Sequence, residues 1–166
     1  MRLPQCAVVS AGSKKRIQEH LDRGWRLVGV RQTWAGKFAP KSCEPLEPKG
    51  RDYYAGLDFG FTGRLWRDPD ISRETAVDET RRYIRESSGF FAHKDGFAIV
   101  RRTGFLMTVG LVGSFDHSAL RILTHAANTL GTRYIQAGTY EDNQGAQGLY
   151  RKMRLRIVKR EAVLHK

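Results

Sequence analysis

Apolar positions along this chain recur at two spacings, and the switches between them mark its elements. Cys6-Ala7-Val8-Val9 is a short apolar run that predicts a strand. Ser13 can cap a helix running to about Arg23, with Ile17 and Leu21 four residues apart on one face and Gly24 as its stop. Trp25 to Arg31 alternates as a half-buried strand does, and the pattern extends to Phe38. Ser72 opens a helix to about Ser87, with Ala76, Val77, Thr80, Tyr83 and Ile84 on one face and arginines off it. Phe90–His93, Phe97–Val100 and Phe105–Val112 predict a three-strand meander. Its turns fall at Lys94-Asp95-Gly96, where Asp-Gly tolerates positive φ, and at Arg102-Thr103-Gly104. Ser118 can cap a helix over Ala119–Leu130, ended by Gly131. A strand over 133–138, a helix from Asn143 and a last strand from Leu155 to His165 complete the pattern.

Residues 39–52 hold three of the five prolines, so they predict a surface linker. Tyr53 to Phe61 reads as a short helix or irregular segment, and 62–70 as a loop. The predicted organisation is a small N-terminal β-α-β subdomain over 1–38, the linker over 39–52, and a main domain over 53–166. The fold class is α/β, with a mixed, mostly antiparallel central sheet flanked by helices.

A chain of 166 residues with 40% hydrophobic content suits one domain with a core of its own. No apolar run approaches the ~20 residues of a membrane helix, and the N-terminus lacks a leader-like apolar stretch, which predicts a cytoplasmic protein with no membrane partner. Cys6 and Cys43 form no C-x-x-C pair, and the five histidines show no metal-ligand spacing, so no disulfide framework or metal is expected. The net charge is +12, and residues 151–166 contribute seven cations against Glu161, a net +6. Such a balance attracts phosphates, whether of a coenzyme, a nucleotide-linked substrate or a nucleic acid; it equally describes a solvated basic face. Along the chain there is no alternation of aromatic and basic residues of the single-strand-binding kind and no RNP or finger motif.

One segment carries chemistry. After the strand at 133–138 comes Asn143-x-x-Ala146-x-x-Leu149-Tyr150-x-Lys152. This pattern, in this order of elements, resembles the last conserved helix of the GNAT acetyltransferase superfamily. Arg64-x-x-Arg67-Asp68-Pro69-x-Ile71, Gly24-Trp25-Arg26-Leu27-Val28 and the ending Val163-Leu164-His165-Lys166 are similar to its TDP-fucosamine (dTDP-4-amino-4,6-dideoxygalactose) N-acetyltransferase branch. The resemblance implies a GNAT-like fold and acetyl-CoA as acyl donor. It also implies a small-molecule amine acceptor, such as a nucleotide-linked amino sugar. Tyr150 is implied as the acid that protonates the leaving thiolate. Leu111, Val112 and Gly113 would hold the pantetheine arm, and His117, Ser118 and Ala119 would face the pyrophosphate. Asn143 would bond the arm, and Arg64, Arg67 and Asp68 would hold a nucleotide sugar. Where the superfamily carries a glycine-rich phosphate turn, this chain has Phe115-Asp116-His117-Ser118-Ala119, a departure that sets a carboxylate against phosphate.

Alternatives stand beside these roles. Tyr150 also completes an apolar stripe with Ala146, Leu149 and Met153, Asn143 is a favoured helix cap, and Arg64, Arg67 and Asp68 equally fit a solvated loop with Asp68-Pro69 as turn chemistry. His93, at a strand end, is a candidate general base, and Glu79 and Glu86 lie on the helix that flanks the acceptor groove in the family. Two further functions remain open: the same fold acting on a nucleic acid or modified nucleobase, and a non-catalytic GNAT-like binding module. A homodimer is equally open.

Overall fold

The computed structural model describes residues 5–40, 44–61 and 64–166, the last range without the side chains of 64 and 65. Strands β1 (Cys6–Ser10), β2 (Arg26–Lys37), β3 (Phe90–His93), β4 (Gly96–Thr103), β5 (Leu106–Ser114), β6 (Tyr134–Tyr140) and β7 (Arg156–His165) form one sheet in the order β1-β7-β2-β6-β5-β4-β3. Every neighbouring pair is antiparallel except β5 with β6. Around the sheet lie α1 (Lys14–Leu21), α2 (Arg51–Gly56), α3 (Arg64–Arg67), α4 (Arg73–Glu86), α5 (Ala119–Leu130) and α6 (Gln144–Lys152). Among the described residues, no helix is long and apolar enough to cross a membrane.

The expected meander and the β-α-β crossover through α5 are present. The N-terminal β-α-β unit is present too, but it has no sheet of its own. β1 and β2 each pair with β7, and β2 also pairs with β6, which puts it in the middle of the shared sheet. The stretch after β2 is likewise held down. The Glu47 N–H donates to His93 Nδ1 at 3.0 Å, Lys94 N–H donates to the Glu47 carbonyl at 3.0 Å, and Lys49 N–H donates to Tyr54 Oη at 3.0 Å. Segment 64–67, expected as loop, makes the single turn of α3, and the left-handed residue of the β3–β4 turn is Lys94 (φ 49°) rather than Gly96.

From Gly96 to Val100, β4 is buried on both faces, and its side chains feed two cores alternately. Ala98 and Val100 join Trp34, Met107, Ile122, Leu123, Ile135 and Tyr150 under α5 and α6. Phe97 and Ile99 join Tyr54 and Ile84 under α2 and α4, with Phe59, Phe61 and Phe90 packed around them. Each such large side chain contributes about 1.5–3 kcal/mol by leaving water. A third cluster, Val9, Ala162 and Leu164 with Ile17, Leu21 and Trp25, seats α1 on the β1–β7 edge.

Candidate active site

The cleft begins with one glycine. β4 and β5 pair from Thr103–Leu106 to Val100–Val109, and again from Ile99–Leu111 to Gly96–Ser114. Gly110 is the extra residue between these registers, and a bulge of this kind bends the strand that carries it. On the other side of β5, parallel pairing with β6 stops at Val109–Ala137. β5 therefore turns aside from β6 where their parallel pairing ends, and a cleft of ≈ 540 Å³ opens between the strands. β5 lines it with Thr108–Val112, β6 with Gln136 and Gly138–Tyr140, and β2 with Arg31 and Thr33. α4 contributes Glu79, Thr80 and Tyr83, and α6 contributes Asn143, Ala146 and Tyr150. A Cβ on Gly110 would stand 2.5 Å from Tyr83 Oη, so the bulge also admits α4 close to the strand.

Tyr150 is 2% exposed, packs beside Trp34 with ring centroids 5.9 Å apart, and donates its hydroxyl to the Gly138 carbonyl at 3.5 Å. Burial pushes its pKa up to about 12, so the phenol keeps its proton at neutral pH and can donate it. The packing role and the donor geometry thus coexist in one side chain. Asn143 is likewise both cap and wall: its Oδ1 accepts the Ala146 N–H at 3.1 Å while the residue lines the cleft.

Leu111 and Val112 line the cleft; Gly113 is buried behind them, where a Cβ would meet the Phe59 ring at 2.8 Å. One side of β5 beyond Val109 is bonded to β4 and the other faces the gap, so its edge can continue a ladder with an extended, amide-bearing chain. At the far end of β5, Asp116 closes the turn into α5. Its Oδ1 accepts the Ser118 N–H at 3.1 Å and the Ser114 hydroxyl at 3.0 Å. Burial alone would raise the Asp116 pKa, but these bonds from Ser118 and Ser114 overcome it and hold the group at about 2. The carboxylate, not the expected Ser118 side chain, therefore caps α5. Ser118 is buried, with its hydroxyl 3.2 Å from that of Ser114; Ala119 is buried in the first turn of α5; and His117 stands exposed at φ 60°.

Of the expected base and acceptor-binding residues, His93, Arg67 and Asp68 do not line the cleft, nor do Gly113, His117, Ser118 and Ala119 of the expected donor set. His93 is buried on β3, its Nδ1 occupied as an acceptor of the Glu47 N–H, so its work is to hold the linker. Arg67 pairs with Asp142 and lies over the Tyr140 ring at 4.3 Å. Asp68 is buried against His165 and accepts the Asp70 N–H at 2.9 Å. Burial works to raise the Asp68 pKa, and those two partners win and lower it. Arg64 opens α3, and its side chain lies outside the described residues. Glu79 does line the cleft, the one carboxylate to do so among the described residues, and with Tyr83 it also borders the neighbouring groove that Glu86 lines.

Sequence reasoning missed Arg31, Thr108 and Gln136. Arg31 is held by Glu161 at 2.9 Å, and the Glu161 carboxyl is kept below its usual range by Lys159 first and Arg31 second. A lone glycine inside a strand pattern, Gly110, was the available signal for the bulge that brings these residues to one cleft.

Neither a protein-family model nor a curated protein matches the sequence. Solved structures do match. The chain is similar to a GCN5-related N-acetyltransferase from Sphaerobacter thermophilus (20% identity, TM-score 0.60), with 97% of this chain aligned to 58% of that one. A GCN5-related N-acetyltransferase from Kribbella flavida aligns at 10% identity and TM-score 0.55, over 98% of this chain and 68% of that one. A tandem GNAT protein from the clavulanic acid biosynthesis pathway aligns at 13% identity and TM-score 0.53, over 97% and 62%. The chain thus spans less than two thirds of the first and third of these proteins. With the bulged strand, the split sheet and these likenesses together, the chain has the GNAT acetyltransferase fold.

Proposed function

We propose that this protein transfers an acetyl group from acetyl-CoA to the amine of a small acceptor. The observation that carries the reading is Tyr150, a buried phenol that retains its proton and sits on the rim of the split between β5 and β6. The donor supplies an activated acyl carbon: the amine nitrogen bonds to it, the carbon–sulfur bond breaks, and a thiolate leaves. The open edge of β5 suits the amide-bearing arm of such a donor. Backbone N–H groups near Val112 would hold the oxyanion of the tetrahedral stage. Tyr150 would protonate the departing sulfur, and Glu79 would take the proton that the amine loses. The fit is poorer at the phosphate end, where the Asp116 carboxylate sits in the turn that leads into α5.

The sequence resemblance suggests a nucleotide-linked amino sugar as acceptor. Because Arg67 and Asp68 are engaged outside the cleft, selection of the amine falls in this reading to Glu79, Thr80 and Tyr83 of α4. The Asp116 cap favours one second reading, a GNAT-like binding module without acyl transfer. Thiol release with a panel of amines, nucleotide-linked amino sugars first among them, tests the proposal. Tyr150→Phe should lower kcat by about a hundredfold, the lower end of general-acid contributions, with little change in the donor's KM. Unchanged turnover would remove Tyr150 from the mechanism, and no acetyl-CoA binding by calorimetry would leave the binding-module reading.

A further inference from the structure

Several cations near the cleft and along α3, α4 and α5 are ion-paired, among them Arg31, Arg67, Arg82 and Arg121. One end of the sheet is different. Segments 34–40, 101–108, 131–136 and 151–158 contain eight Lys and Arg residues and no Asp or Glu. They are distant in sequence, yet the order β4-β5-β6-β2-β7 sets them side by side. None of the eight forms an ion pair with another described residue.

The pairing register shows which of them share a face. Arg101, Thr108, Gln136, Ala35 and Arg156 form one cross-strand row. The adjacent row, two residues along each strand and so on the same face, carries Leu106, Tyr134 and Lys37. Thr108 and Gln136 are part of the cleft lining, so this face runs without interruption from the cleft to the basic end. Tyr134 is 50% exposed on it, and Phe105, 58% exposed at the β4–β5 turn, is covered by the Arg133 guanidinium at 5.2 Å. At neighbouring strand spacings of ~4.8 Å, the row from Arg101 to Arg156 spans roughly 19 Å. The start of β7 adds a second observation. Arg154 sits at φ 58°, in the left-handed region where glycine is the easy choice.

We propose that this strip binds a single-stranded nucleic acid, with Arg101, Lys37 and Arg156 on phosphates and Tyr134 under a base. Unpaired cations set around an exposed ring on one face match a charged backbone that carries flat, stackable bases. An acidic protein segment would use the charges and leave the rings without purpose; a duplex keeps its bases stacked on each other. The basic and aromatic residues do not alternate along the chain. Across the sheet, Tyr134 stands beside Lys37, one row from Arg101 and Arg156, because the strands bring them together.

Fluorescence anisotropy with a labelled short single-stranded oligonucleotide tests this, in the absence of acyl donor, so that its failure leaves the acyl-transfer reading untouched. Binding should weaken steeply between about 50 and about 200 mM salt. Arg101→Gln with Arg156→Gln should reduce the slope of log K against log salt by about 1.4, at ~0.7 per phosphate contact. Tyr134→Ala should weaken binding by roughly tenfold, the scale of one lost base stack. Arg154→Gly relieves the backbone while removing a cation, so it should keep the thermal midpoint and still weaken binding several-fold. Three results would overturn the proposal: no binding at the low salt, binding unchanged in the double variant, or equal affinity for a duplex or for polyglutamate.

Discussion

Asp116 is the residue whose chemistry most directly opposes the proposed donor. Its carboxylate takes the Ser118 N–H that a phosphate would otherwise share, and at about 2 its pKa leaves it charged under all ordinary conditions. Asp116→Asn keeps an acceptor for the cap and removes the charge. Relieving one like-charge contact of ~1 kcal/mol should tighten acetyl-CoA binding roughly fivefold, measured by calorimetry. The same residue sets a pH dependence. Its pKa is lower in the folded protein than its ordinary 3.8, so the stabilisation is complete above that value and is lost as pH falls toward 2. The residue is exposed, and after allowance for solvent screening the loss is about 1 kcal/mol. Denaturant melts at pH 4 and pH 2 should show that extra loss in the parent and not in Asp116→Asn. At this scale, legibility followed sequence distance. Asn143 caps a helix three residues away and Tyr150 lies on the same helix, so a local pattern could find both. His93, Arg67 and Asp68 were misplaced because their partners lie 46, 75 and 97 residues away.

Elements were more legible than contacts, since strand and helix periods are local properties. What periodicity could not show was how β5 meets its neighbours: the bulge at Gly110 is a relation between strands. It can be tested as one. Gly110→Val would drive a side chain into Tyr83, which is 46% exposed and able to swing away. Donor binding should therefore fall sharply with little change in thermal midpoint. Gly113→Ala is the contrasting case on the same strand, because its Cβ meets Phe59 at 2.8 Å and Phe97 at 3.1 Å inside a packed core. That overpacking should cost about 1–3 kcal/mol, read in denaturant melts. α6 offers the opposite sign. Gly148 lies mid-helix with nothing within 4 Å of a built Cβ. Gly148→Ala should stabilise by about 0.5–1 kcal/mol by restricting the unfolded chain, raising the thermal midpoint by a few degrees.

At the scale of the whole molecule, the sheet distributes what the chain scatters. The N-terminal unit was expected apart because a proline-rich stretch follows it, yet β2 runs between β6 and β7. Composition could announce an excess of +12 but not where it would gather. Folding gathers it by placing the ends of β4, β6, β2 and β7 together, with no carboxylate among them. Like charges assembled this way repel, and the folded state bears a cost that the extended chain avoids. Two unit charges ~10 Å apart in water differ from separated ones by about 0.4 kcal/mol, and that interaction fades once the screening length falls below their separation. Neutralising Arg101 and Arg156 to Gln should therefore raise the thermal midpoint at low salt by about 1–2 °C, the shift expected of roughly 0.5 kcal/mol in a chain of this size. In about 1 M salt, where screening acts within ~3 Å, parent and variant should melt together. A variant that melts lower at every salt concentration would mean that the two arginines pack against the sheet. A gain confined to low salt would mean that the fold sustains the repulsion, as it should if the strip is kept basic for an anionic partner.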